Sequence, residues 1–260
     1  MRENVPNNGG LSMASRRVRR SAASLLICVP LVLAGCASRA HEPTKAKPPK
    51  TADRVATEAP VVMFLGDSYT VGEKGTQPET TYAAATARLL GWQVVVGGRS
   101  GTGFVNPGSK HSTFSKLFED QLGWRPAPAM LVVSGGHNDA KFPAAHVSDA
   151  ARVLLQTAKA RWPRTRIILI GPLWGSDHPS AGALAVRDGL RTVAGQLKIP
   201  FVDPLAEKWI TGDRERDTGN APRFIKPDRT HPTPDGHRYL ATRLAQDLAR
   251  VGLAHPASSG

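Results

Sequence analysis

The chain has 260 residues, of which 34 are Lys or Arg and 21 are Asp or Glu, and it contains two cysteines. Ten of the basic and four of the acidic residues precede residue 59, so the remainder holds 24 and 17, a diluted surplus of seven with no Lys/Arg block interleaved with aromatics; this argues against a nucleic-acid partner and for a merely solvated basic surface. Because Cys28 and Cys36 both lie near the N-terminus, the rest of the chain has no cysteine for a nucleophile, a thiolate zinc site or an internal disulfide.

The first element in chain order is an export signal. Arg16, Arg17, Arg19 and Arg20 precede an apolar run from Ala22 to Ala34, whose 13 residues are too few for the roughly 20 that cross a bilayer. Leu33-Ala34-Gly35-Cys36 resembles the bacterial lipobox, which implies cleavage after residue 35 and lipidation of Cys36 as the mature N-terminus. The paired arginines leave the export route, general or twin-arginine, open. Residues 36–59 are rich in Pro, Lys, Thr and Ala without apolar periodicity, the composition of a solvated tether with an r.m.s. span of roughly 25 Å. An exported protein anchored by lipid to the outer face of a bacterial membrane is therefore expected. A folded domain is expected over 60–254, followed by a disordered tail at 255–260.

Within that domain Val61 to Leu65, Gln93 to Val96, Met130 to Val133, Ile167 to Ile170 and Phe201-Val202 are short β-rich apolar runs that close near Gly, Asp or Pro, and they predict five strands. Between and after them, Tyr82/Ala85/Leu89, Val147/Ala151/Leu154/Ala158, Val186/Leu190/Val193/Leu197 and Leu240/Leu244/Leu248/Val251 recur at helical spacing. Strand and helix in alternation predict one α/β domain with a parallel sheet covered on both faces, because each right-handed crossover must return the chain.

The chemistry collects at predicted strand ends, where open α/β sheets place their sites. Gly66-Asp67-Ser68-Tyr69 follows the first strand and Asp228-Arg229-Thr230-His231-Pro232 precedes the last helix. Together they supply a hydroxyl, an imidazole to take its proton and a carboxylate to hold the imidazole tautomer. Taken alone, each is equally a capped turn: Asp67 or Ser68 caps a helix, and Thr233-Pro234 has the form of an N-cap and first helical residue. Two further strand ends add donors for a developing oxyanion. These are a glycine N–H in Gly98-Arg99-Ser100-Gly101-Thr102-Gly103 and the side-chain amide of Asn138 in Gly135-Gly136-His137-Asn138-Asp139. A metal set of His137, Asp139, His178 and His231 has the wrong spacing for common zinc patterns. A flavin or nucleotide binder with residues 66–75 as phosphate cradle leaves Asp228 and His231 unexplained, and a non-catalytic surface lipoprotein leaves every one of these groups without use.

In these blocks, and over roughly Val61 to Leu253, the chain resembles the SGNH hydrolase superfamily, the GDSL-type esterases and lipases. The resemblance implies Ser68 as nucleophile, Asp228 and His231 as its partners, and an oxyanion hole from the Ser68 N–H, the Gly101 N–H (Gly98 being the less favoured register) and Asn138. It further implies a flavodoxin-like order of five parallel strands, and ester or thioester substrates handled by a monomer without metal or other cofactor. The chain departs from the family pattern at Tyr69-Thr70, where Leu is common, and at Val96 or Gly97, where Asn is common; both are expected to alter the pocket wall. The segments 72–79, 104–116, 174–180 and 209–227 are expected to line the crevice, with Trp174 and Trp209 either facing substrate or packed in the core. Arg99 and His137 are expected in solvated or structural roles.

Overall fold

In a computed structural model, which describes residues 58–257, five strands form one all-parallel sheet in the order β2-β1-β3-β4-β5. They are β1 (Val61–Gly66), β2 (Gln93–Gly98), β3 (Met130–Ser134), β4 (Arg166–Ile170) and β5 (Phe201–Val202). The signal segment, Cys36 and most of the expected tether lie outside the described residues, all of which belong to one compact unit beginning at Val55.

Side chains alternate across a strand, so a sheet buried on both faces needs apolar residues at odd and even positions alike. The central strands meet this demand. Val62 and Phe64 of β1, Met130 and Val132 of β3, and Ile168 and Ile170 of β4 enter one core cluster, while Met63, Leu65, Leu131, Val133, Ile167 and Leu169 enter the other. The first cluster is closed by α2 (Tyr82–Leu90) and α7 (Pro234–Arg250), which pack on each other. The second is closed by α4 (Ala144–Arg161) and α5 (Ala181–Leu197), likewise packed together. The result is a three-layer α/β/α fold, as the alternating pattern predicted, with the flavodoxin-like strand order that the family resemblance implied.

Short elements decorate the strand ends: α1 (Ser68–Val71), α3 (Phe114–Leu117), which runs into a π-helical turn at Phe118–Leu122, and α6 (Ala221–Phe224). The α3 region corrects the end of the segment 104–116, expected as a crevice loop, because residues 114–116 are helical. Phe114, Leu117, Phe118 and Leu122 are instead fully or almost fully buried against the second core face. Their three- and four-residue spacing carried the helical signal. The one departure, from α to π, shifts the phase by one residue and shortens each helical piece below the length at which periodicity is readable.

Candidate active site

The C-terminal ends of β1, β2 and β3 lie side by side, with Gly66 paired to Gly98 on one side and to Ser134 on the other. Close approach there requires glycine: a Cβ on Gly98, whose φ is +127°, would stand 1.9 Å from the Gly66 carbonyl oxygen. Beyond Gly66 the chain turns at once into α1. Asp67 caps this helix, its Oδ1 accepting from the Tyr69 N–H at 3.0 Å, and Ser68 is its first residue. A first helical N–H has no intrahelical acceptor, so the backbone of Ser68 faces the crevice with a free donor beside its own hydroxyl.

The facing loop is built as a clasp. Ile225 and Pro232 form an antiparallel bridge, the Lys226 N–H donates to the His231 carbonyl at 2.8 Å, and Arg229 takes a left-handed φ of +61° to close the turn. Asp228 Oδ1 accepts from the backbone N–H groups of Thr230 and His231, both at 2.9 Å, leaving Oδ2 against His231 Nδ1 at 2.7 Å. His231 Nε2 then lies 2.9 Å from Ser68 Oγ. With Nδ1–H donating to Asp228, Nε2 is the nitrogen free to accept the serine proton. Burial raises the Asp228 carboxyl, but the two backbone donors and the imidazole outweigh it and hold the group below the usual carboxylate range. Thr233 caps α7 through the Gly236 N–H, and Pro234 opens the helix, so the cap and the clasp share one segment.

The two candidate glycines are distinguished by their donors. The Gly98 N–H is taken by Gln121 Oε1 at 2.7 Å, whereas the Gly101 N–H has no hydrogen-bond partner among the described residues and the space above its Cα is open. Asn138 Nδ2 donates to the Thr102 carbonyl at 2.9 Å and makes a longer contact of 3.3 Å with Asp67 Oδ2. Asp67 itself is buried, and desolvation pushes its carboxyl up to about 7 despite the Tyr69 N–H, with the charge of Asp139 adding to the rise.

Three residues of the site take roles that the sequence reading did not assign to them. Asp139 accepts from the backbone N–H groups of Phe104, Val105 and Asn106 at 2.9, 3.1 and 2.9 Å. It thereby pins the loop that carries Gly101, and its packing against Gly103 leaves no room there for a Cβ. Burial raises the Asp139 carboxyl above the ordinary range, a rise that these three donors oppose. Tyr69, noted only as a departure from the family pattern, is buried and donates its hydroxyl to the Thr230 carbonyl at 2.5 Å, bracing the clasp from the residue next to Ser68. Glu73, just past α1, places Oε2 3.0 Å from His231 Nδ1, and its other oxygen pairs with Lys226 Nζ.

The remaining expectations divide. His137 Nδ1 lies against the Leu173 carbonyl at 3.0 Å, Asp139 spends its oxygens on backbone donors, and His178 pairs with Asp177, so with His231 they form no common ligand set. Arg99 is exposed. Trp209 is fully buried in the core, whereas half-buried Trp174 lines a groove of about 710 Å³ together with Asn106, His137, Asn138, Lys141 and Ser180. Its ring lies 4.7 Å from that of His137, which in turn lies 5.6 Å from Tyr69.

At the strand ends of this five-stranded parallel sheet a hydroxyl, an imidazole and a carboxylate thus stand in line. The profile of the GDSL-like lipase/acylhydrolase family matches residues 64–239, and the chain belongs to that family; it is a carboxylic ester hydrolase. It is 29% identical over 195 residues to a GDSL lipase of Mycobacterium tuberculosis, a match covering 71% of this chain and 79% of that protein. Among solved structures, a carbohydrate acetylesterase from Sinorhizobium meliloti superposes with a TM-score of 0.58 at 14% identity, covering 74% of this chain and 99% of that one. A family two carbohydrate esterase from Clostridium thermocellum, solved with cellohexaose, gives 0.58 at 21% identity and covers 75% of this chain and 65% of its own. At these identities the superpositions speak for the fold.

Proposed function

We propose that the chain is a serine esterase working through Ser68, His231 and Asp228 and an acyl-enzyme. The observation that carries this reading is the continuous line Asp228 Oδ2, His231 Nδ1, His231 Nε2, Ser68 Oγ, with contacts of 2.7 and 2.9 Å. His231 Nε2 takes the proton as Ser68 Oγ bonds to the ester carbonyl carbon. The tetrahedral oxyanion is held by the N–H groups of Ser68 and Gly101 and by Asn138 Nδ2, whose long contact to Asp67 is the one the incoming oxygen replaces. The C–O bond to the alcohol then breaks as His231 returns the proton to the leaving oxygen. Water, deprotonated by the same nitrogen, bonds to the acyl carbon; the bond from that carbon to Ser68 Oγ then breaks as His231 returns the proton to Oγ, releasing the acid. Asp228 stays ionised throughout, as its lowered range permits.

The test is hydrolysis of a short acyl ester such as p-nitrophenyl acetate, together with labelling by a fluorophosphonate. Ser68→Ala is expected to lose both, with kcat down by at least ~10⁴-fold. Full activity in that variant refutes the assignment. A half-buried Trp174 beside Asn138, with His137 behind it, supports a substrate that offers a flat apolar face; an acyl-length panel that includes acetylated sugars ranks the candidates.

The lipobox likeness supports placement of this domain outside the cell on a lipidated Cys36. Cys36→Ser is expected to shift the protein from the membrane fraction to the soluble one; retention in the membrane fraction argues against the anchor.

A further inference from the structure

The proton on His231 Nδ1 has two carboxylates within reach. Asp228 Oδ2 is aligned with it at 2.7 Å, and Glu73 Oε2 stands beside it at 3.0 Å. Glu73 is the less solvent-exposed of the two, 24% against 41% for the side chains. It is also held independently, because its second oxygen pairs with Lys226 Nζ, and Lys226 belongs to the same clasp through its N–H bond to the His231 carbonyl. A two-residue step past the end of α1 connects it to the helix that begins at Ser68. It therefore reports the position of the nucleophile's helix to the imidazole, which Asp228, three residues away on the clasp itself, does not.

We infer that Glu73 is a second positioning carboxylate for His231, holding the Nδ1–H tautomer from the α1 side and able to retain it when Asp228 is removed. The inference rests on the Ser68/His231/Asp228 reading above. An imidazole that loses its only carboxylate partner adopts the wrong tautomer or orientation, at a cost of about 10⁴-fold in kcat. With Glu73 in place, a small ring rotation restores an aligned acceptor, and the loss is expected to stay near ~10²-fold. The neighbouring Lys226 ammonium pairs with the other oxygen of Glu73 and fixes its rotamer.

The experiment is a double-mutant cycle on the full chain, read as kcat and KM for p-nitrophenyl acetate, with Ser68→Ala as the control. Glu73→Gln alone is expected to lower kcat only a few-fold. In the Asp228→Ala background the same change is expected to lower it a further ~30-fold or more with KM little altered, the non-additivity of two groups that share one task. Asp228→Ser, which keeps an oxygen near the Thr230 and His231 N–H groups, repeats the cycle with the clasp supported. A downfield proton resonance from His231 Nδ1–H is expected in Asp228→Ser and absent once Glu73→Gln is added. Equal factors for Glu73→Gln in both backgrounds, or a resonance that vanishes with Asp228 alone, overturn the inference. Activity surviving in Ser68→Ala strikes the triad reading itself, so the two failures are distinguishable.

Discussion

The groups that position this site are mostly not the groups that react. Asp139 satisfies three backbone donors of the loop bearing Gly101, one of them fully buried. Replacing it with Ala strands those N–H groups, and at about 1 kcal/mol or more for each the expected loss is about 3 kcal/mol in urea-monitored unfolding, with kcat falling as the Gly101 donor drifts. Asp67 makes a separate, pH-dependent contribution. Its folded carboxyl titrates at about 7 against 3.8 in a free chain, so the folded state holds the proton more tightly. The stability tied to that proton is complete below pH 4 and is lost as pH rises through 7. Buried His237, lowered to about 4 by desolvation and then by the charge of Lys226, acts in the opposite sense, costing stability as pH falls from 6.5 toward 4. The readout is therefore the difference between proteins: Asp67→Asn, which keeps an N-cap oxygen, is expected to gain on the parent by up to about 3 kcal/mol between pH 5 and 8 in denaturant titrations. A constant difference across that range refutes the assignment of the buried proton to Asp67.

At the scale of elements, every strand and each of the four long helices was legible because burial on two faces writes apolar runs, and burial on one writes a helical stripe. Val62 to Leu65 shows the first and Val186, Leu190 and Val193 the second. The residues of the proposed triad and oxyanion hole stood out for another reason: Ser68, Asn138, Asp228 and His231 sit in short blocks whose spacing is visible without the structure. Glu73, Tyr69 and Asp139 did not, because each acts across sequence separations that no local pattern records, the Tyr69 hydroxyl reaching 161 residues along the chain to Thr230. Gly101 was favoured over Gly98 only through the family resemblance; what the sequence did not record is that Gln121 Oε1 occupies the Gly98 N–H and that the space above Gly101 is open. Gly98 serves packing instead. Gly98→Ala is expected to separate the ends of β1 and β2, lowering stability by at least about 3 kcal/mol, whereas Gly101→Ala, with open space but a positive φ of 77°, is expected to cost about 1–2 kcal/mol. Thermal unfolding of the two variants side by side checks the order.

For the whole molecule, the strand order reverses at β1, and the crevice lies where β1 and β3 part company with their crossover helices on opposite faces. The acid–base loop arrives at that crevice from the far end of the chain, carried by α7 against α2. In the proposed mechanism only a neutral imidazole on that loop can accept the proton of Ser68.

The clasp at 225–232 has one more consequence. Ser68 emerges early during synthesis, but its proton acceptor belongs to a segment made some 160 residues later and gripped by Tyr69 only when α7 has docked. On the proposed reading, a nascent chain thus carries an inert alcohol. Reactivity toward esters switches on with the docking of the last helix, so acquisition of fluorophosphonate labelling during refolding is a direct clock for completion of the fold.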